Sequence, residues 1–176
     1  PYEGNVAEVQ KVVEVCHAIG VPVEAEIGKI GGAEEHVVVS EKEATMTDPE
    51  EAVRFVEDCG CDFLAVAIGN AHGFYKGEPE LDFDRLEAIR DAVPVPLVLH
   101  GASGIPDHQI TEAVKRGICK INIDTEIRNA FAQTVRKFQT EHPDVIDPRK
   151  ILGPAMDAMQ AIVEHKIEIF RSAGRA

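Results

Sequence analysis

The sequence predicts an α/β chain built on parallel strands. Helical and extended stretches alternate along it, and none of the four predicted strands is joined to the next by a hairpin turn. Strands separated by helices pair in parallel through right-handed crossovers. The polar residues that look out of place cluster just after the strands, on the face where parallel α/β architectures carry their sites.

Over residues 5–19, Val6, Val9, Val12, Val13 and Cys16 recur at helical spacing, and Gly20 stops the helix. Val21 to Ile27 reads as the first strand. Residues 28–46 are rich in glycine and then in charge, with no long period, which predicts a mobile excursion. Asp48-Pro49-Glu50-Glu51 opens the next helix, with Asp as cap, Pro at the first position and acids facing the positive helix end; Gly60 closes it. Phe63 to Ile68 is apolar on both faces, as a doubly covered strand is. A helix over 82–92 leads to the strand 95–99, and one over 107–116, stopped by Gly117, leads to the strand 118–123. Residues 126–140 are helical, with Ile127, Ala130, Phe131, Val135 and Phe138 on one side. Asp147-Pro148 caps a last helix striped by Leu152, Met156, Met159, Val163, Ile167 and Phe170.

Two architectures accommodate this order: an open doubly wound sheet, or a (β/α)₈ barrel. A whole barrel takes about 250 residues and eight strands. The chain has 176 residues and half those strands, so it reads as a fragment or as a unit completed by another chain. No linker or low-complexity stretch divides it, and residues 1–176 read as one domain.

Lys and Arg number 18 against 31 Asp and Glu, a net charge of −13. Such a surface repels nucleic acid and anionic membranes, although a local site can still hold a small phosphate. No apolar run approaches the ~20 residues of a membrane span, and the first residues lack the basic start and apolar middle of a signal peptide. Cys16, Cys59, Cys61 and Cys119 form no paired C-x-x-C knuckles. They read as reduced, partly buried thiols of a cytoplasmic protein.

His72 and His100 end neighbouring predicted strands one βα unit apart, and each is followed by Gly. Two neutral imidazoles with a third ligand leave an open position on Zn²⁺, the arrangement of a catalytic metal centre. The plainer alternative is a pair of hydrogen-bonded loop histidines. Gly101-Ala102-Ser103-Gly104 offers backbone N–H groups and a hydroxyl, and Asp124-Thr125-Glu126 begins a helix, so both suit a phosphate; a turn and a helix cap explain them equally well. The glycines of Gly28-Lys29-Ile30-Gly31-Gly32 permit a lid, although a solvated charged loop is the simpler reading.

Taken together, Gly69-Asn70-Ala71-His72-Gly73-Phe74-Tyr75-Lys76-Gly77, Leu99-His100-Gly101-Ala102-Ser103-Gly104 and Asn122-Ile123-Asp124-Thr125-Glu126 resemble the signature of class II, zinc-dependent aldolases. Val23-Glu24-Ala25-Glu26-Ile27-Gly28, with Gly31-Gly32 and Glu34, adds a fourth matching block. Asp147 to Pro154 resembles the tail of bacterial fructose-1,6-bisphosphate aldolases, which favours fructose over the closely related tagatose-1,6-bisphosphate aldolases. The similarity runs in order through nearly the whole chain.

The resemblance implies the C-terminal half of a (β/α)₈ TIM barrel, strands five to eight, that uses Zn²⁺ with a monovalent cation (Na⁺ or K⁺) near the phosphate. It places His72 and His100 on the zinc, with Glu26 as an alternate or second-site ligand. Gly73, Lys76, Gly101, Ala102, Ser103, Asp124 and Thr125 would surround the substrate phosphate, Ile123 would bind substrate beside them, and Asn122 would bind substrate and orient an enediolate. Glu34, on the excursion, would move protons. The substrate would be a phosphorylated ketose, and the assembly a dimer or tetramer or a pairing with an N-terminal half. Lys29, Lys76 and Lys120 are Schiff-base candidates only where no metal binds.

One departure stands out. Family members carry an Asp-x-Ser-His segment on the strand before the position of Pro1, supplying the carbon–carbon acid/base and a third zinc histidine. Without them the isolated polypeptide is expected to hold metal weakly and to show negligible aldolase activity. A metal-free phosphate-binding lyase or isomerase, and an inactive half-barrel that assembles with a second copy through its sheet edges, are the rival readings.

Overall fold

The computed structural model describes residues 1–34, 37–40, 44–73, 75 and 77–175, with the backbone alone at 33, 34 and 37–39. The chain divides into two compact units, Pro1–Asn122 and Ile123–Ala176.

The first unit runs α1 (Tyr2–His17), β1 (Glu24–Ile27), β2 (Gly32–Glu34), β3 (Val37–Val39), α2 (Pro49–Cys59), β4 (Phe63–Val66), α3 (Phe83–Ala92), β5 (Leu97–Leu99), α4 (Asp107–Arg116) and β6 (Ile118–Ile121). Strands β1, β4, β5 and β6 lie side by side in that order, every pair parallel, as the alternation of elements predicts. Leu64, Val66, Val98 and Leu99 are fully buried, which explains why β4 and β5 carry no alternating pattern. Strand β1 does alternate: Ala25 and Ile27 are buried, while Glu24 and Glu26 share the other face.

Helix termini follow their sequence signals. Asp48 accepts from the N–H groups of Glu50 and Glu51 ahead of Pro49, and α2 ends on Gly60 at φ 72°. Buried Thr47 ties two strand ends together: its Oγ1 donates to the Ile27 carbonyl at 2.6 Å and accepts from Ala67 N at 2.8 Å.

The excursion over 28–46 departs from its expectation of no regular structure. Strands β2 and β3 pair antiparallel, Lys29 bridges Thr45, and Gly31 bridges Ala71. The run Val37-Val38-Val39 beside Gly31-Gly32 was the available strand signal, outweighed by the surrounding glycines and charges. Helix α1 begins at Tyr2, three residues earlier than its apolar stripe suggests, and ends at His17. All four cysteines are free thiols, but Cys119, on β6, is exposed.

The second unit is a helix pair, α5 (Thr125–Glu141) and α6 (Pro148–Ile169), joined by a 2.9 Å ion pair between buried Lys166 and Glu126. Asp147 caps α6 through Arg149 N. Four of the six residues of the predicted α6 stripe are exposed: Leu152, Met156, Val163 and Ile167. The helix buries Ala155 and Lys166 instead. No helix among the described residues is long and apolar enough to cross a membrane.

Candidate metal centre

Three loops leaving the carboxyl ends of β1, β4 and β5 meet, and backbone geometry fixes how closely. At Gly101 a Cβ would collide with the carbonyl of Ala71, and at Gly32 with the carbonyl of His72; both glycines have positive φ, 59° and 113°. Only a residue without a side chain permits these approaches. His72 N donates to the Gly31 carbonyl at 2.7 Å, pinning the β4 loop against the excursion.

Side chains reinforce the contact. Asn70 accepts from Ile68 N at 2.8 Å and donates to the His100 carbonyl at 2.9 Å. The Tyr75 hydroxyl accepts from Ala71 N at 2.7 Å and donates to the Gly101 carbonyl at 2.8 Å. Burial holds the Tyr75 phenol above its ordinary pKa, so it stays a donor at neutral pH. Neither residue has a motif-level signal beyond its presence in the Gly69–Gly77 block; their work is to join two loops.

His72 and His100 consequently face one another, with ring centroids 6.1 Å apart and planes tilted by 55°. Glu26, on the polar face of β1, joins them: one ligand atom from each of Glu26, His72 and His100 lies within 4.8 Å of the others. Ligand atoms around an ion with ~2.1 Å bonds stand ~3.4 Å apart in a tetrahedron, so side-chain shifts of about an ångström close the set. Two imidazoles and one carboxylate are donors that a borderline divalent ion accepts.

His100 supplies the observation that tests the fit. Its Nδ1 is buried and 2.7 Å from Glu26 Oε2, yet no aligned hydrogen bond satisfies it. Its Nε2 is satisfied, 2.9 Å from Glu24 Oε1. One ring nitrogen is thus engaged and the other directed into the trio, as a metal-bound imidazole requires. The Glu26 carboxylate, with Glu24 behind it, holds the His100 imidazolium above its usual range, against the opposing effect of burial.

Behind His100 lies a contact that sequence reading missed. Lys120 Nζ sits 2.7 Å from Glu24 Oε2, a pairing across 96 residues. Burial would raise the Glu24 carboxyl, but hydrogen bonds from Lys120 and His100 outweigh it and keep the group below its ordinary value. The alternation of β1 was the signal for Glu24, since it places that residue on the face of Glu26.

The other predicted site residues lie as follows. Gly73, at φ 87°, has open space where a Cβ would stand. Ala102 and Ser103 are buried in the turn after β5. Asn122 N continues the sheet to the Leu99 carbonyl at 3.0 Å. Ile123, Asp124 and Thr125 open the second unit. There Asp124 occupies the N-cap of α5 but makes no capping bond, its carboxylate turning to Arg128 Nε at 2.7 Å. Lys76 and the side chain of Glu34 lie outside the described residues.

Comparison with known proteins places these features. Residues 1–175 match the family described as fructose-bisphosphate aldolase class-II. The YdjI aldolase of Escherichia coli K12 is 41% identical, superposes with a TM-score of 0.83, and aligns over 100% of this chain and 59% of its own. A Coccidioides immitis protein assigned as a fructose-1,6-bisphosphate aldolase is 32% identical, with a TM-score of 0.89 over 99% of this chain and 61% of its own. Fructose-bisphosphate aldolase of Campylobacter jejuni is 26% identical, with a TM-score of 0.75 over 97% and 57%. The chain therefore spans about three-fifths of the length of these relatives, and its α/β fold matches a half of an aldolase TIM barrel.

Proposed function

The chain belongs to the class-II fructose-bisphosphate aldolase family, and we propose from that premise that it carries the metal centre of an enzyme cleaving a ketose 1,6-bisphosphate. The substrate we assign is fructose 1,6-bisphosphate, giving dihydroxyacetone phosphate and glyceraldehyde 3-phosphate. The Asp147 to Pro154 tail is the reason for preferring fructose to tagatose. The observation that supports the reading most is the meeting of Glu26, His72 and His100 at the strand ends.

In this reading His72 and His100 hold Zn²⁺, with Glu26 as an alternate or second-site ligand. When bound, the ion polarises the ketone and stabilises enediolate charge, a contribution of several kcal/mol that replaces a Schiff-base lysine. Asn122 orients the enediolate oxygen. Glu34 carries protons at the ketose-derived carbon. Backbone N–H groups of Gly73 and Gly101 to Ser103, with Lys76, bind phosphate beside a monovalent cation. The resemblance gives Asp124 and Thr125 phosphate-binding roles and Ile123 a substrate-binding one, and the uncapped start of α5 suits an anion.

Residues 1–176 are, on this reading, one partial barrel domain of a cytoplasmic homo-oligomer. The general-acid Asp and the further metal histidine of the family motif are not among these 176 residues. As a separate polypeptide they should bind zinc weakly and cleave substrate negligibly until an N-terminal half is added. The test is zinc binding by chelator competition, together with cleavage assayed with and without that half. His72→Ala and His100→Ala should each abolish zinc retention; retention by both variants, or substantial cleavage by the polypeptide alone, would overturn the assignment.

A further inference from the structure

The metal trio accounts for Glu26 but not for Glu24, two residues earlier on the same face of β1. The two carboxylates address the same imidazole from opposite sides: Glu26 Oε2 lies 2.7 Å from His100 Nδ1, and Glu24 Oε1 lies 2.9 Å from His100 Nε2. Only Glu26 belongs to the group whose ligand atoms converge with His72. Glu24 turns its second oxygen away, to Lys120 Nζ on β6 at 2.7 Å.

We propose that Glu24 is a positioning residue for the metal centre, holding His100 in the tautomer that carries its proton on Nε2, and that Lys120 orients Glu24 for this task. The proposal rests on the metal-centre reading given above.

The chemistry follows from the donor and acceptor inventory. An ionised carboxylate can only accept, so the ring nitrogen facing Glu24 must bear the hydrogen. With Nε2–H held by Glu24, Nδ1 is the nitrogen left to offer its lone pair to an ion once the proton facing Glu26 is displaced; it is buried and has no aligned hydrogen-bond partner. The ring has little freedom to reverse this, because the His100 side chain is 13% exposed and its backbone carbonyl is held by Asn70. Lys120 supplies what a half-buried carboxylate otherwise lacks, a countercharge and a fixed direction for Oε2. An outer carboxylate of this kind raises ligand basicity, and its loss generally costs 10- to 100-fold in metal affinity.

A plain β1–β6 ion pair would show the same Glu24–Lys120 distance, so the test must separate orientation from cross-linking. In Glu24→Gln, Lys120 still donates and captures the amide oxygen. The amide NH₂ then faces His100 Nε2 and demands a lone pair there, which moves the ring proton to Nδ1. Zinc affinity, measured by competition with a fluorescent chelator on the full chain, should fall 10- to 100-fold. Long-range ¹H–¹⁵N spectra of the zinc-loaded protein should show His100 in the Nε2–H form in the parent, with that signal shifted or weakened in Glu24→Gln.

Adding Lys120→Met frees the amide to turn and present its oxygen. The double variant should therefore recover at least part of the lost affinity and the original tautomer, although it has lost more of the ion pair than the single variant. A cross-link with no orienting role predicts the opposite order. Should the double variant bind zinc no better than Glu24→Gln, or should Glu24→Gln leave both tautomer and affinity unchanged while His72→Ala abolishes binding, this inference alone falls. Zinc binding insensitive to His72→Ala and His100→Ala brings down the metal-centre reading, and this inference with it.

Discussion

Gly101 lies directly beneath the carbonyl of Ala71, in a space that no side chain could share. This contact brings the loops after β4 and β5 together, and its consequence is testable. Gly101→Ala must displace the Ala71–His72 backbone and also strain a position at φ 59°. Expected are a loss of stability of about 1–3 kcal/mol from the strained backbone and a clear drop in zinc affinity. Denaturant melts and chelator competition on one sample read both.

Tyr75→Phe removes one hydroxyl but breaks two bonds, leaving Ala71 N–H and the Gly101 carbonyl unpaired. Part-buried groups of this kind cost about 1–3 kcal/mol when left unsatisfied. Weaker zinc binding should accompany the loss, since the hydroxyl spans the two histidine loops. An unchanged denaturation midpoint would mean that water replaces the phenol.

Thr47→Val keeps the shape and deletes the hydroxyl that joins Ile27 O to Ala67 N. Thr47 itself is buried, as are Ile27, Ala67 and Ile68, so water offers little compensation. A destabilisation of about 2–4 kcal/mol is expected from two buried orphaned groups. Urea titration should show a lower midpoint at an unchanged slope, the signature of lost stability without a change in the surface exposed on unfolding.

Asp62 carries the clearest pH dependence. A hydrogen bond with His17, then one from Val23 N, holds its carboxyl below the ordinary aspartate value. Because the folded pKa is the lower one, the contribution is fully present above the unfolded pKa and disappears as pH falls through the folded one. Asp62→Asn can still accept from Val23 but has no charge. Its melting temperature should lie below that of the parent at neutral pH, with the gap narrowing steadily in acid. A gap that widens on acidification would reverse the assignment.

Much of this architecture is visible in the sequence because its signals are local. Asp48-Pro49 and Gly60 bound α2 as written, and the doubly apolar Phe63–Ile68 identifies a covered parallel strand. His72 and His100 could be brought together because parallel strands deliver their ends to one face. What escaped notice depends on tertiary context. Strands β2 and β3 pair beside the point where Gly31 docks on Ala71, a contact no local propensity encodes. The apolar residues of α6 follow helical spacing, yet periodicity cannot say which of them find a neighbour, and Met156 is 62% exposed. Lys120 looked uninformative on β6 because its partner stands three strands away.

That partner also sets when the centre can mature. The pairing joins residues 96 positions apart, so it cannot form before β6 is made and docked beside β5. Emerging from a ribosome, the polypeptide can form β1, β4 and β5 and even juxtapose its two imidazoles, yet Lys120 reaches Glu24 only when β6 docks.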